Sequence, residues 1–233
     1  NDLPWGVWPR GIGGRHVDGI GIMVAGQVPA ERLKWAEFFP DATRDTTVAP
    51  VLLNYREAGK RIGPSGELWG WLPLPGYNNP NRRDPITGQR TPIPALSDEP
   101  GSWPDFWPDR LNNPDDPGWA GNWNGFFGRG VFNADLESFY VMDDLSDMEY
   151  AIDPTTGRPN SEFGGYYASP SDSTMGGRGL QNQVRIFQWA NVLAEDVMFI
   201  LYRVTNIGES NHNGLIFSQI MDYGLGNEEG DEI

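Results

Sequence analysis

Carboxylates are the side chains of this sequence that offer the most chemistry. Six of them fall within residues 135–149, namely Asp135, Glu137, Asp143, Asp144, Asp147 and Glu149. Glycoside hydrolysis needs two carboxyl groups about 5–10 Å apart in a cleft, with aromatic rings on which a sugar can stack. Phe139, Tyr140 and a tryptophan-rich loop would supply such rings. The alternative is that the aspartates cap turns and accept hydrogen bonds from loop amides.

A second acidic segment has the composition of a calcium site. Asp222, Asn227, Glu228 and Asp231 offer hard oxygen ligands and are separated by flexible glycines. The spacing differs from that of the twelve-residue helix-loop-helix site. We predict calcium as a cofactor at these four residues, with residues 112–116 as a weaker candidate. A plain solvated turn is the alternative.

Nucleophilic catalysis has little support in the sequence. His16 and His212 both lie in loops rich in Gly and Asn, whereas a catalytic triad needs a histidine held by a carboxylate on a rigid element. The chain contains no cysteine, which removes thiol catalysis, thiolate metal sites and disulfides together. The sequence therefore predicts no catalytic residue and no enzyme, and a glycoside hydrolase is the alternative.

Tryptophans next to prolines are candidates for binding rather than catalysis. Trp8, Trp103 and Trp107 each precede a proline, and Trp5 lies close to the first of them. Such rings suit a platform for glycans or an interface with a neighbouring subunit. They are equally compatible with a core that the loop builds for itself.

Composition limits the class of partner. The chain has 233 residues and a formal net charge of −15, so a nucleic acid would be repelled at long range. No apolar run reaches the roughly 20 residues that a membrane span needs, which predicts no membrane insertion. Ten Trp, eleven Phe and eight Tyr indicate a folded chain despite 30 Gly and 20 Pro.

The elements that must position these residues are strands. Residues 183–207 alternate apolar and polar side chains in two runs, which predicts a long hairpin with a turn at Ala194, Glu195 and Asp196. Residues 214–223 are predicted to add a third strand to the same sheet. The other predicted strands are residues 17–28, with glycines where another backbone or a large ring packs closely, and residues 48–55, 131–132 and 137–142. Residues 31–39 are also predicted to form a strand, with a short helix as the alternative.

Two segments are predicted to lack regular structure. Residues 1–16 mix Trp, Pro and Gly and indicate an extended N-terminal arm. The excursion from about residue 56 to 123 contains recurrent prolines, which remove ladder donors. Its tryptophans indicate packing rather than disorder. We expect a single β-sandwich domain at 17–233, with the natural chain continuing beyond residue 233.

One resemblance covers most of the chain. The run from Trp123 to Asp144, WNGFFGRGVFNADLESFYVMDD, resembles large uncharacterised secreted bacterial proteins that often end in a type IX secretion sorting domain. Residues 21–26, the ending YRVTNIG at 202–208 and the acidic loop after Asp222 extend it. YRVTNIG is also similar to strands of immunoglobulin-like repeats. The resemblance implies an extracellular or cell-surface location in bacteria and attaches to no known activity.

Together these observations predict an all-β protein, an immunoglobulin-like or jelly-roll-like antiparallel β-sandwich with long loops rich in Pro, Gly and Trp. We expect a secreted structural protein, a subunit of a surface layer or filament. Its expected partners are copies of itself, through aromatic loops, strand edges and the N-terminal arm. A carbohydrate-binding module or glycoside hydrolase, with glycans as partners, is the alternative.

Overall fold

The fold is all-β and antiparallel, as the sequence predicted. The computed structural model describes residues 6–8, 14–29, 48–53, 62–108, 115, 117–153, 155–158, 166–212 and 214–226, with the backbone alone at 6–8, 14–20, 25–29, 48–53 and 220–226. Within these ranges the regular elements are strands and one 3₁₀ turn, Pro100–Ser102. The strands are β1 Gly6–Trp8, β2 Gly14–Pro29, β3 Val48–Leu53, β4 Leu72–Pro73, β5 Ala95–Leu96, β6 Asn124–Gly125, β7 Gly128–Arg129, β8 Leu136–Asp143, β9 Leu180–Gln188, β10 Met198–Asn206 and β11 Ile216–Gly226.

The chain divides into two compact units. The first consists of Asn1–Trp71, Asp144–Gly179 and Gly208–Ile233, and the second of Leu72–Asp143 and Leu180–Ile207. The sandwich arrangement of the predicted single domain stays a prediction.

The first unit contains a sheet centred on the long strand β2. Strand β2 pairs with β1, β3 and β11, all antiparallel. Gly19 and Gly21 lie opposite Asp222 and Ile220 of β11. Residues 31–39, a further predicted strand, lie outside the described part of the chain.

Two expectations for this sheet are wrong. Residues 214–223 form a strand, but β11 pairs with β2 instead of continuing from β10. The chain turns away after β10, where the Gly208 N–H bonds the Gly179 carbonyl at 3.0 Å. The N-terminal arm was predicted to lack regular elements, but β1 and the start of β2 pair with each other within residues 6–17. Alternation indicates a strand, but it does not identify which strand pairs with it.

The second unit contains the predicted hairpin. Strands β9 and β10 pair over nine residues without a shift of register, and β8 adds eight pairs on the other side of β9. The short strands β4 and β5 both pair with β8. The connection between β9 and β10 is longer than the predicted turn, and its bonds run from Ala194 N to Asn191 O and from Val197 N to Ala194 O.

One face of β8 lies under the proline-rich excursion. Phe139 and Val141 are fully buried and share a core with Ala95 and three tryptophans of the excursion, Trp107, Trp119 and Trp123. Trp107 contacts Phe139 at 6.0 Å and meets Trp123 edge-on at 5.8 Å. The prediction that tryptophans pack this irregular segment is therefore confirmed.

The prediction of a strand at residues 131–132 is wrong. The sheet pairing lies just before it, between β6 and β7. Val131 N bonds the Gly128 carbonyl at 3.1 Å, and the next amides turn toward the side chain of Glu137. In this segment, main-chain amides bond the Glu137 carboxylate instead of the main chain of a neighbouring strand.

Candidate interaction surface at the hairpin end

Strand β10 forms one edge of the sheet in the second unit. The strand order is β10-β9-β8-β4, and no described strand pairs with the outer side of β10. Seven of its nine residues are exposed. Natural edge strands are usually short, bulged, or carry lysine or proline, because an open edge is a template for another chain. Strand β10 (MFILYRVTN) is nine residues long and has no bulge, lysine or proline, and Arg203 is its one charged side chain.

Exposed apolar side chains gather where β9 turns into β10. Val192 is 77% exposed and Leu193 90%, and Val197 and Met198 follow with about half of their surface in solvent. Phe199 lies opposite Phe187, and the β6–β7 hairpin adds two more phenylalanines. We call this set the hairpin-end surface: Phe126, Phe127, Phe187, Trp189, Val192, Leu193, Val197, Met198 and Phe199. Contiguous apolar patches on soluble proteins typically mark sites of interaction.

Five rings of this surface form a continuous ridge. Phe127 contacts Phe126 at 4.9 Å, and Phe126 meets Phe187 edge-on at 6.1 Å. Phe187 stacks on Trp189 with ring planes 19° apart, and Trp189 meets Phe199 at 5.4 Å. These separations lie in the range of favourable aromatic pairs. The ridge therefore holds its exposed rings in defined positions.

Arg185 fixes the hairpin that carries Phe126 and Phe127. Its buried guanidinium donates to the Asn124 carbonyl at 2.7 Å and to Asn124 Oδ1 at 3.2 Å. It also lies 3.9 Å from the ring centre of Phe139 and 6.0 Å from that of Phe126. A planar cation between two rings suits cation–π contact. Arg185 thereby connects the core to the exposed ridge.

Glu137 fixes the loop beside Trp189. Its carboxylate is fully buried and accepts hydrogen bonds from Trp123 Nε1 at 2.9 Å, from the Asn133 N–H and from the Ala134 N–H. The Asn133 carbonyl in turn accepts from Trp189 Nε1 at 3.2 Å. This buried carboxylate thus holds a loop in place and is enclosed by its donors.

Two other carboxylates of the acidic segment 135–149, which the glycoside hydrolase alternative would use, also bond to the main chain. Asp144 Oδ2 accepts from the Arg178 N–H at 2.8 Å, and Asp135 Oδ2 accepts from the Ala190 N–H at 2.7 Å. Asp143 and Asp147 are buried. These contacts correspond to the alternative interpretation, in which aspartates bond loop amides.

Of the predicted tryptophan platform, the side chains of Trp103 and Trp107 are described, and neither belongs to the exposed ridge. Trp107 is fully buried, so its ring is not available to a glycan or a partner. Trp103 is half-buried against that core, and its Nε1 donates to the Leu96 carbonyl at 2.6 Å. Trp8 lies in β1, where only the backbone is described, and Trp5 lies outside the described residues. Sequence reasoning missed Phe126, Phe127 and Phe199; the adjacent phenylalanines in a turn rich in Gly were the available signal.

The predicted calcium site falls mostly outside the described residues. Asp222 lies in β11, where only the backbone is described, and Asn227, Glu228 and Asp231 lie beyond it. Of the weaker candidate at 112–116, Asp115 alone is described. In the described part of the chain no three acidic or histidine side chains come together as a metal site. Calcium at Asp222 stays a prediction.

His212 belongs to a buried polar cluster of the first unit. Its Nδ1 lies 2.9 Å from Nη2 of Arg178, which also donates through Nη1 to the Tyr166 hydroxyl at 3.2 Å. Since guanidinium nitrogens only donate, Nδ1 is the acceptor and His212 is neutral. Burial, and then the positive charge of Arg178, lower the pKa of His212 below its usual value.

Comparisons of this chain with protein families, with curated proteins and with solved structures find no match. Among the described residues there is no helix that is long and apolar enough to cross a membrane. The class that the fold defines is an all-β antiparallel protein with an exposed apolar strand edge.

Proposed function

We propose that this chain is a structural subunit that assembles with copies of itself through the outer edge of β10 and the hairpin-end surface. The observation that carries the proposal is strand β10, a regular nine-residue strand with mostly exposed side chains, which no described strand pairs on its outer side and which exposed aromatic rings border. Strand addition satisfies open main-chain groups and buries the side chains on either side. The resemblance to secreted bacterial proteins supports an assembly outside the cell.

The edge and the surface reinforce each other. An added strand gains main-chain hydrogen bonds from β10, while the adjacent rings supply apolar area. Aromatic residues dominate the energetics of protein interfaces. Because the ridge is held by Arg185 and Glu137, little side-chain freedom is lost on binding.

Sedimentation velocity over a concentration series tests this function. Wild type is expected to associate, and Phe199→Lys is expected to remain monomeric because a lysine on the edge resists pairing. Ile86→Lys is the matched control, since Ile86 is 88% exposed in a turn of the same unit and lies outside the hairpin-end surface. Monomeric wild type, or association of Phe199→Lys equal to that of wild type, would contradict the proposal.

A glycan-binding function is the second candidate, and one observation favours it. Phe187 and Trp189 stack with nearly parallel planes and are partly exposed, which suits a sugar-stacking surface. A glycan array tests it. Binding that is lost in Trp189→Ala and kept in Ile86→Lys would support this function, whereas silence of wild type across a broad array would count against it.

A further inference from the structure

We propose that assembly is head-to-tail: the outer edge of β10 in one copy pairs with the outer edge of β11 in the next copy. The inference rests on the proposed function, self-association through β10. It adds the surface that receives β10, which is the edge strand of the sheet in the first unit, and the repeating form of the assembly that follows.

Strand β11 is a second sheet edge in the described part of the chain. The strand order of its sheet is β1-β2-β11, and no described strand pairs with the outer side of β11. Residues 216–222 pair with β2 in one register, and shifts of register occur only after Asp222. Strand β11 (IFSQIMDYGLG) contains no lysine and no proline. Its first seven residues therefore lack the devices that usually protect an edge.

Exposed apolar side chains mark the start of both edge strands. At β11, Ile216 is 62% exposed, and Leu215 and Phe217 are each about 40% exposed. At β10, Met198 and Phe199 have about half of their surface in solvent. Each strand thus combines exposed apolar side chains with a side that no described strand pairs. This is the combination that strand addition uses, because it gains main-chain hydrogen bonds and buried apolar area together.

Symmetry favours β11 over a second β10 as the partner. Pairing of β10 with β10 is isologous, so association through this contact stops at a dimer and leaves the edge of β11 uncovered in each copy. Pairing of β10 with β11 is heterologous, and each added copy brings a new β10 and a new β11 to the ends. One kind of contact then covers both edges and repeats from copy to copy. A subunit of a filament or surface layer needs such a repeating contact.

Two lysine variants, each blocking one edge, test this pairing. Phe199→Lys blocks β10 and Ile216→Lys blocks β11, since lysine protects natural edge strands. Both side chains are largely exposed, so both variants should keep the fold, which circular dichroism checks. In sedimentation velocity each variant alone should stay monomeric, because the contact needs one edge of each kind.

Mixing the two variants should restore a single contact. In an equimolar mixture, β10 of Ile216→Lys and β11 of Phe199→Lys are both intact, whereas the other two edges are blocked. We therefore expect a dimer with one copy of each variant and no larger species. Native mass spectrometry identifies the two variants in this dimer by their different masses. Wild type and the control Ile86→Lys should instead form species larger than a dimer as the concentration rises.

Other results would overturn the head-to-tail pairing. A dimer formed by Ile216→Lys alone would show that β10 pairs with itself, and association of Ile216→Lys equal to that of wild type would show that β11 takes no part. A mixture that stays monomeric would show that the two intact edges do not pair. Each of these results leaves self-association of wild type in place. Monomeric wild type would instead remove the proposed function itself.

Discussion

The indole N–H of Trp123 donates to the carboxylate of Glu137 across 2.9 Å, and both side chains are fully buried. The other carboxylate oxygen accepts the N–H groups of Asn133 and Ala134. A single acidic side chain thereby connects the tryptophan core to the loop that positions Trp189. Every donor around it is neutral, so its role depends on hydrogen bonds alone.

Glu137→Gln should destabilise the chain by about 2–4 kcal/mol, because the amide NH₂ must face an N–H donor and leave a buried group unsatisfied. Urea unfolding followed by circular dichroism measures this change. Glu195→Gln, at an exposed position, is the control and should stay within about 0.5 kcal/mol of wild type. Equal midpoints for the two variants would show that the Glu137 carboxylate is not required.

Alanine substitutions at Trp107 and Trp189 should affect different properties: the first should lower stability, and the second should weaken self-association. Trp107→Ala removes a fully buried ring and should cost about 3–5 kcal/mol, seen as a lower midpoint of unfolding. Trp189→Ala should cost much less, because the ring is only partly buried, and should weaken self-association. The reverse pattern would place the binding surface at the predicted tryptophan platform instead.

Gly125 should not tolerate a side chain. A Cβ there would lie 1.8 Å from the Val131 carbonyl oxygen and 2.8 Å from that of Gly128, both backbone atoms that cannot move independently. Gly125→Ala is therefore expected to distort the β6–β7 hairpin and reduce stability by about 1–3 kcal/mol or more. Gly101→Ala is the control, since no atom lies within 4 Å of its Cβ position. An unchanged thermal midpoint for Gly125→Ala would contradict this packing.

His212 should make stability fall in mild acid. Its pKa is lowered in the folded chain from the ordinary 6.5, so the unfolded chain binds the proton at higher pH. The stabilising contribution is complete above about pH 6.5 and is lost as the pH falls through that value toward the folded pKa. The Arg178 guanidinium contacts the imidazole directly, and it also contacts the Tyr166 hydroxyl.

Urea unfolding between pH 7.5 and pH 5 measures how the free energy of unfolding changes with pH. The slope of this dependence should be flatter in His212→Gln because glutamine does not titrate. The carboxyl of Glu209 titrates below this pH range, since Ser171 holds its pKa below the usual 4.5. Asp172, bonded to Thr174, has its pKa lowered from 3.8 and also titrates below the window. An identical slope in His212→Gln would show that another group causes the pH dependence of stability.

Local patterns were sufficient for much of the fold. The alternation around Val184 predicted β9, and the run ending at Val204 predicted β10, because side-chain period is a property of the strand itself. The tryptophan content of the proline-rich excursion predicted packing, since burial of large rings offsets the entropy of an irregular chain. The sequence was also sufficient to exclude one kind of site. Because the chain contains no cysteine, thiol sites are excluded without a structure.

Pairing and exposure required the tertiary structure. The sequence predicted a strand at residues 214–223, but only the fold decided that this strand, β11, joins β2, since strand partners are chosen by contacts far apart in the chain. Likewise Trp107 and Phe199 are both large aromatic residues in the sequence, yet one is fully buried and the other half exposed. Burial depends on which neighbours the fold brings over each ring, and the sequence alone does not contain that information.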